Sequence, residues 1–131
     1  RVGGTPDGRR TLLAGALDLA QLAHVLAHAL AVVVGNTGPA HLAAAVGTPV
    51  ACLFSPVVPA IRWAPYGVPL ELLGDQNAAC RMTRARVCPV PGHPCLDSVS
   101  PEEVVAAVER LMGGVSSFST HVRTRRKARN R

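Results

Sequence analysis

The chain has 131 residues, of which 48% are apolar, 17% charged and 3% aromatic. This length and apolar content suffice to bury the core of one domain, which excludes a disordered protein and a two-domain enzyme. The formal net charge is +6, but six of the 14 basic residues lie in the last nine positions, and the other eight balance the eight acidic residues. The body of the chain is therefore not a basic nucleic-acid-binding surface.

Charge and composition divide the chain into two parts. We predict one domain over residues 1–114 and a basic, disordered tail over residues 115–131. The alternative role of the tail is contact with anionic membrane lipid or with RNA. Polar side chains interrupt the longest apolar region, so no membrane-spanning helix is predicted. The chain begins with Arg1 and has no signal-peptide pattern. We expect a fragment of a longer cytoplasmic protein, at most peripheral at the inner face of the membrane.

The hydrophobic pattern predicts helices and strands in alternation, beginning with an amphipathic helix of about three turns. Asp18 can cap that helix. Its apolar residues recur at helical spacing: Leu19, Leu22, Ala23, Leu26 and Leu30. Two short apolar runs, at 31–34 and 49–54, predict parallel strands covered by helices on both faces. A third strand is predicted at 70–73.

The segments around these strands carry helix start and stop signals. Pro39 fits the first turn of a helix that Gly47 ends, so residues 31–54 predict a βαβ unit with a right-handed crossover. Residues 74–98 hold three cysteines and several turn formers, which predict an irregular loop. A capping serine, a proline and two acids open a last helix at 100–112. The predicted fold class is therefore α/β, with a parallel sheet flanked by helices.

The turn between the first strand and its helix, GNTGPAH at 35–41, has the pattern of an anion site. A helix N-terminus at the carboxyl end of a parallel strand presents free N–H groups and a partial positive charge, which suit a phosphate. Thr37 adds a hydroxyl, Gly38 allows close approach, and His41 can direct its imidazole at the same anion. A tight turn without a ligand is the alternative. Walker A and three-glycine dinucleotide patterns are absent from this segment.

Three successive segments together form one signature. They are NTGPAHLAAA at 36–45, GTPV at 47–50 and LFSP at 53–56. This signature resembles that of glycosyltransferase family 9, the ADP-heptose:lipopolysaccharide heptosyltransferase family. The similarity continues through WAPYG at 63–67, the cysteine-containing loop and the last helix, and covers roughly residues 15–112.

The resemblance implies an enzyme of GT-B architecture, built of two Rossmann-like domains, of which this chain is similar to the C-terminal, nucleotide-sugar-binding one. The implied reaction is inverting transfer of a sugar, heptose or related, from a nucleotide diphosphate sugar to a glycan or lipid-linked acceptor, as in lipopolysaccharide or other cell-envelope glycan synthesis. The catalytic base would lie in the N-terminal domain, so no catalytic residue is expected here. The donor, ADP-linked in the family's heptosyltransferases, is a substrate, and no cofactor is implied.

Carried over to this chain, the family's donor and phosphate site falls on six residues: Asn36, Thr37, Gly38, Pro39, Ala40 and His41. Thr37, Gly38 and His41 would contact the donor, and the proline and alanine would shape the turn. Asn36 stands where the family more often has Asp. The amide keeps hydrogen-bonding capacity toward sugar hydroxyls but loses the negative charge, so the resemblance does not fix heptose as the sugar.

Aromatic residues follow the second strand in a proline-rich loop. Arg62, Trp63 and Tyr66 are candidates for the rim of the donor cleft, where an aromatic ring can stack on a base and the guanidinium can pair with a phosphate. The alternative is that the aromatic residues pack this loop onto the domain.

Three cysteines and a histidine have the spacing C-x7-C-x4-H-x-C, formed by Cys80, Cys88, His93 and Cys95. These residue types can ligate Zn²⁺ tetrahedrally, but the paired C-x2-C knuckles are missing, so we predict no metal site and keep zinc as an alternative. Reduced thiols or one disulfide are the competing interpretations, and a cytoplasmic enzyme favours thiols. Cys52, inside an apolar strand, is predicted to be core.

Two alternatives to the glycosyltransferase hypothesis follow. One is a stand-alone nucleotide- or anion-binding module. The other is a zinc-stabilised interaction domain built on residues 80–95. On the leading hypothesis the partners are a nucleotide sugar, a glycan or lipid-linked acceptor and the missing N-terminal domain, with no nucleic acid.

Overall fold

The computed structural model describes residues 10–113, and its centre is a parallel sheet of three strands. The strands are β1 (Val32–Gly35), β2 (Val50–Leu53) and β3 (Leu70–Leu73), in the order β1-β2-β3. Their last residues, Gly35, Leu53 and Leu73, lie side by side in register. The three predicted strands are confirmed, and with them the α/β Rossmann-like fold class.

Five helices accompany the sheet in the described part of the chain. They are α1 (Leu19–His28), α2 (Gly38–Ala45), α3 (Ala60–Trp63), α4 (Pro94–Asp97) and α5, at residues 101–113. The sequence pattern predicts α1, α2 and α5. It misses α3 and α4, because a helix of four residues is too short to show a helical period.

Helix α1 begins with the predicted cap. The Gln21 N–H donates to Asp18 Oδ1 at 2.8 Å, and the Asp18 N–H donates to Gln21 Oε1 at 2.9 Å, which forms a capping box. The predicted apolar stripe is wrong at both ends: Leu19 is 72% exposed and Leu30 is 65% exposed. The helix ends at His28, so Leu30 cannot join its face.

One face of the sheet packs against α1 and α2. The fully buried residues on this side are Ala43, Val50, Cys52 and Phe54. The Thr48 hydroxyl donates to the Leu26 carbonyl at 2.7 Å and so ties the start of β2 to α1. The prediction that Cys52 is core is confirmed, and its burial raises the pKa of the thiol above its ordinary value.

The opposite face is covered by α5, but only in part. Ala107 and Leu111 of α5 pack on the fully buried Ala51 of β2. Val33, the register partner of Ala51 on β1, is 47% exposed. The prediction that both faces of the first strand are covered is therefore wrong for this side chain, because the cluster under α5 is centred on the middle strand and leaves Val33 open.

A bidentate ion pair joins helix α5 to the sheet. Arg110 Nε donates to Glu71 Oε1 at 3.0 Å, and Nη2 donates to Oε2 at 3.1 Å. The hydrogen bond from the guanidinium lowers the pKa of the Glu71 carboxyl, and the positive charge acts in the same direction. The pair joins the end of α5 to β3.

We expect Arg110→Gln to lower the stability of the domain slightly, as is usual for a solvent-exposed ion pair. Because the pKa of Glu71 is lowered in the folded state, the stabilisation is present above the unfolded-state pKa and is lost as the pH falls through the folded-state value. Urea unfolding at neutral pH and at about pH 3 measures this, since the difference between the two proteins should be smaller in acid. An equal difference at both pH values, or an effect no larger than that of Arg86→Gln, would contradict the assignment.

Some expectations concern segments outside the described residues. The first nine residues of the predicted domain and the basic tail at 115–131 both lie there. Within residues 10–113, the helices are all too short or too polar to cross a bilayer.

Candidate functional site

The carboxyl edge of the sheet gathers the loops that carry the predicted site residues. Because Gly35, Leu53 and Leu73 end their strands in register, the segments that follow them leave the sheet at the same edge. In open parallel sheets this edge is where ligands bind. The turn at 36–41, the proline-rich loop at 54–66 and the loop that begins at Gly74 all start there.

The turn at 36–41 leads directly into α2. Thr37 is the N-cap residue, with an extended backbone (φ −142°, ψ 174°), and its side chain does not cap the helix. Its hydroxyl instead donates to the Gly35 carbonyl at 3.3 Å. The Ala40 N–H donates to the Thr37 carbonyl at 3.0 Å, and Pro39 has no N–H. Within residues 10–113 the Gly38 N–H has no hydrogen-bond partner, so the first turn keeps a free donor.

Burial separates the residues that hold this turn from those that face solvent. Ala40 is fully buried, whereas Thr37, Gly38 and His41 are exposed and Asn36 is half-buried. A Cβ atom built on Gly38 has no neighbour within 4 Å. The turn therefore contains one buried residue, Ala40, while Thr37, Gly38 and His41 are accessible to a ligand.

The proline-rich loop starts at the same edge, but only two of its three candidate residues line a common pocket. Arg62 and Trp63 belong to α3 and line a pocket, with Trp63 52% exposed. Tyr66 is 93% exposed and is not among the pocket's lining residues. Within the described range, no hydrogen bond or ion pair links these three side chains to the turn at 36–41. Their role at a donor cleft stays a prediction.

The cysteines of the 74–98 loop do not gather around one point. Cys80 and Cys95 are buried in one small cluster with Ala78, where burial, together with the neighbouring Cys95 thiol, raises the pKa of Cys80. Cys88 is half-buried and donates to the Val90 carbonyl at 3.2 Å, and all four cysteines of the chain are free thiols. Over residues 10–113, no three side chains of His, Cys, Asp or Glu come together as a metal site. The zinc alternative therefore gains no support from the geometry.

Residues that the sequence pattern does not single out hold the loop at this edge. Gln76 Nε2 donates to the Phe54 carbonyl at 2.8 Å and to the Gly74 carbonyl at 3.3 Å. Met82 and Arg84 have left-handed backbones and line the same pocket as Arg62. Gly74 is marked in the sequence as a turn former. Gln76, Met82 and Arg84 have no such mark, because their roles depend on contacts with distant parts of the chain.

A parallel sheet flanked by helices, with an open helix N-terminus at its carboxyl edge, defines an α/β domain of the Rossmann-like class. The family model for glycosyltransferase family 9 (heptosyltransferase) matches residues 4–93, which is more than half of the chain. The chain belongs to glycosyltransferase family 9. Its function is therefore of the glycosyltransferase type, which in this family involves a nucleotide-sugar donor and a glycan acceptor. No curated protein and no solved structure matches the chain significantly.

Proposed function

We propose that this chain is the donor-binding domain of an inverting glycosyltransferase of GT-B architecture. It would bind a nucleotide diphosphate sugar, heptose-linked or related, for transfer to a glycan or lipid-linked acceptor. The observation that carries the proposal is the open N-terminus of α2, with the unpartnered Gly38 N–H, at the carboxyl edge of the sheet. Family membership supports it, because the matched segment contains this turn.

The proposed role of the turn follows from its charges and donors. The N-terminus of a helix carries a partial positive charge of about half a unit, which favours a diphosphate. The Gly38 N–H would donate to a phosphate oxygen, and the Thr37 hydroxyl would do so by exchanging its bond to the Gly35 carbonyl for one to phosphate. The exposed His41 imidazole would add a further hydrogen bond to the charged phosphate. Asn36, half-buried beside them, would offer its amide to the sugar hydroxyls.

These groups would stabilise the leaving group of the transfer. In an inverting transfer the acceptor hydroxyl attacks the anomeric carbon while the nucleotide diphosphate departs with the bonding electron pair. Donors that are already aimed at the diphosphate stabilise its growing negative charge without reorganisation. The base that takes the acceptor's proton would come from a companion N-terminal domain, so this chain would bind the donor without turning it over.

Calorimetric titration of the chain with ADP, GDP and UDP tests this proposal. We expect one-to-one binding of one of these nucleotides, and we expect His41→Ala to weaken it by about 1–3 kcal/mol, the range for a lost hydrogen bond to a charged group. That change corresponds to roughly a fivefold to 150-fold increase in Kd.

A matched control is available on α1. His24 is also exposed, but its ring packs on His28, with the ring centroids 4.3 Å apart, and it lies outside the turn. His24→Ala should leave the Kd unchanged. If His41→Ala binds as tightly as the parent, His41 is not part of the site. If none of the three nucleotides binds, the chain alone is not a donor-binding domain.

A further inference from the structure

A pocket lies at the proline-rich loop that follows β2. It has a volume of about 460 Å³ and is formed between α3 and the segment 82–84. Its lining residues are Pro59, Arg62, Trp63, Met82 and Arg84. None of them belongs to the 36–41 turn, so this pocket is not the phosphate site proposed above.

The backbone on one side of this pocket is held in an unfavourable conformation. Met82 (φ 63°) and Arg84 (φ 54°) both adopt the left-handed region, which residues other than glycine rarely occupy. Such a conformation persists only where other contacts impose it. Here the Met82 N–H donates to the Pro56 carbonyl and the Arg84 N–H donates to the Val57 carbonyl, both at 2.9 Å.

A third hydrogen bond fixes the residue between them. The Thr83 hydroxyl donates to the Cys80 carbonyl at 2.6 Å, and Cys80 is itself buried with Cys95. The segment 82–84 is thus tied to the 56–57 loop on one side and to the cysteine cluster on the other. These ties place the side chains of Met82 and Arg84 at the pocket, opposite Arg62 and Trp63.

The charges at this pocket are uncompensated. The ion pair found among residues 10–113 is Arg110–Glu71, and neither Arg62 nor Arg84 has a carboxylate within 4.0 Å in that range. Arg81 lines an adjoining pocket of about 330 Å³ together with Met82. Arg62 and Arg84 therefore line one pocket without a carboxylate partner in the described range. Trp63 and Met82 supply the apolar surface of this pocket.

We propose that this pocket binds a ring that carries an anionic group. The anion would pair with the guanidinium groups of Arg62 and Arg84, since guanidinium matches carboxylate and phosphate geometry with two parallel hydrogen bonds. The ring would stack on Trp63 and touch Met82. A carboxylated or phosphorylated sugar and the nucleotide of a donor share this chemistry, so the test separates these two sources.

Trp63 is the only tryptophan of the chain, so its intrinsic fluorescence reports on this pocket alone. We would titrate the full chain with glucuronate and glucose 6-phosphate, with UDP and ADP, and with neutral glucose as the control. At concentrations up to about 10 mM, even a ligand with a Kd of about 1 mM approaches saturation. We expect a saturable change with at least one anionic ligand and none with glucose. Saturation by the acidic sugars points to the acceptor as the source, and saturation by the nucleotides points to the donor.

Two variants connect the signal to the proposed contacts. We expect Arg62→Gln and Arg84→Asn each to raise the Kd about tenfold or more. Asparagine is chosen at position 84 because it tolerates the left-handed backbone. Arg86→Gln, on the same loop but outside the pocket lining, should leave the Kd unchanged, and equal melting temperatures would show that all three variants fold.

The outcomes for this pocket are separable from those for the phosphate site. With glucuronate and glucose 6-phosphate as ligands, His41→Ala should leave the Trp63 titration unchanged even where it abolishes nucleotide binding at the turn. If no anionic ligand changes the fluorescence saturably, or if the Arg62 and Arg84 variants bind as tightly as the parent, the proposal is overturned.

Discussion

Replacing Gly74 with alanine is expected to lower the free energy of unfolding by about 3 kcal/mol, because two costs add at this residue. Its backbone has a φ of +119°, which residues with a side chain rarely adopt. A Cβ atom there would lie 2.8 Å from the Phe54 carbonyl oxygen and 2.9 Å from that of Cys95. Both neighbours are backbone atoms, so neither can rotate away.

Urea unfolding of the parent and the variant measures this loss. Gly92→Ala is the matched control, since Gly92 also has a positive φ (+79°) but a Cβ there would have no neighbour within 4 Å. The control carries only the conformational cost, about 1 kcal/mol. If both variants lose the same stability, the close crossing of the Gly74, Phe54 and Cys95 backbones is not what fixes the glycine.

Gly38→Val is expected to raise the Kd for the nucleotide more than about a hundredfold while leaving the domain stable, if the donor phosphate approaches the Gly38 N–H. A Cβ at Gly38 would meet no atom within 4 Å outside its two chain neighbours, and its φ is ordinary. The cost of a side chain there is therefore limited to the local restriction on a residue that precedes proline. The isopropyl group would occupy the space through which a phosphate has to reach the backbone. Calorimetric titration and thermal unfolding measure the two effects separately.

Gly113→Val provides the control for this substitution. Gly113 is the last described residue of α5, and a Cβ there would also have no neighbour within 4 Å. Its replacement should change neither the nucleotide Kd nor, by more than about 0.5 kcal/mol, the stability. Unchanged nucleotide binding by Gly38→Val would show that Gly38 gives no room to a ligand and has a purely structural role in the turn.

The strands and the longer helices can be predicted from the sequence because their signals are local. A run of valines defines β1, a short apolar run defines β2, and Pro39 and Gly47 bracket α2 with a start and a stop signal. Asp18 and Gln21 form the cap of α1 from neighbouring positions. In each case the interacting groups are close in the chain, so the sequence pattern predicts the strand or helix.

The burial of individual side chains in the sheet and α1 cannot be predicted from local signals. The run at 31–34 reads as covered on both faces, but Val33 is half exposed because coverage depends on where α5 packs. Leu30 fits the helical period of α1, yet the helix ends at His28. Periodicity shows which residues could share a face, whereas the tertiary arrangement determines which of them become buried.

One part of the candidate site can be predicted from the sequence and the other cannot. The turn at 36–41 is contiguous, so its placement at the start of α2 follows from the sequence. The pocket between α3 and the segment 82–84 does not, because it depends on hydrogen bonds to Pro56 and Val57 that cross more than twenty residues. No local pattern marks Met82 or Arg84 as left-handed.

The most direct test of the donor-phosphate assignment is a heteronuclear NMR titration of the isotope-labelled chain with ADP, GDP and UDP. Saturable shifts of the Gly38 and His41 amide resonances with one nucleotide, and none with the corresponding nucleoside, are the expected result. The nucleoside lacks the diphosphate, so the comparison isolates its contribution. Saturable binding that shifts other amides and leaves residues 36–41 unchanged would contradict the assignment, as would the absence of binding by all three nucleotides.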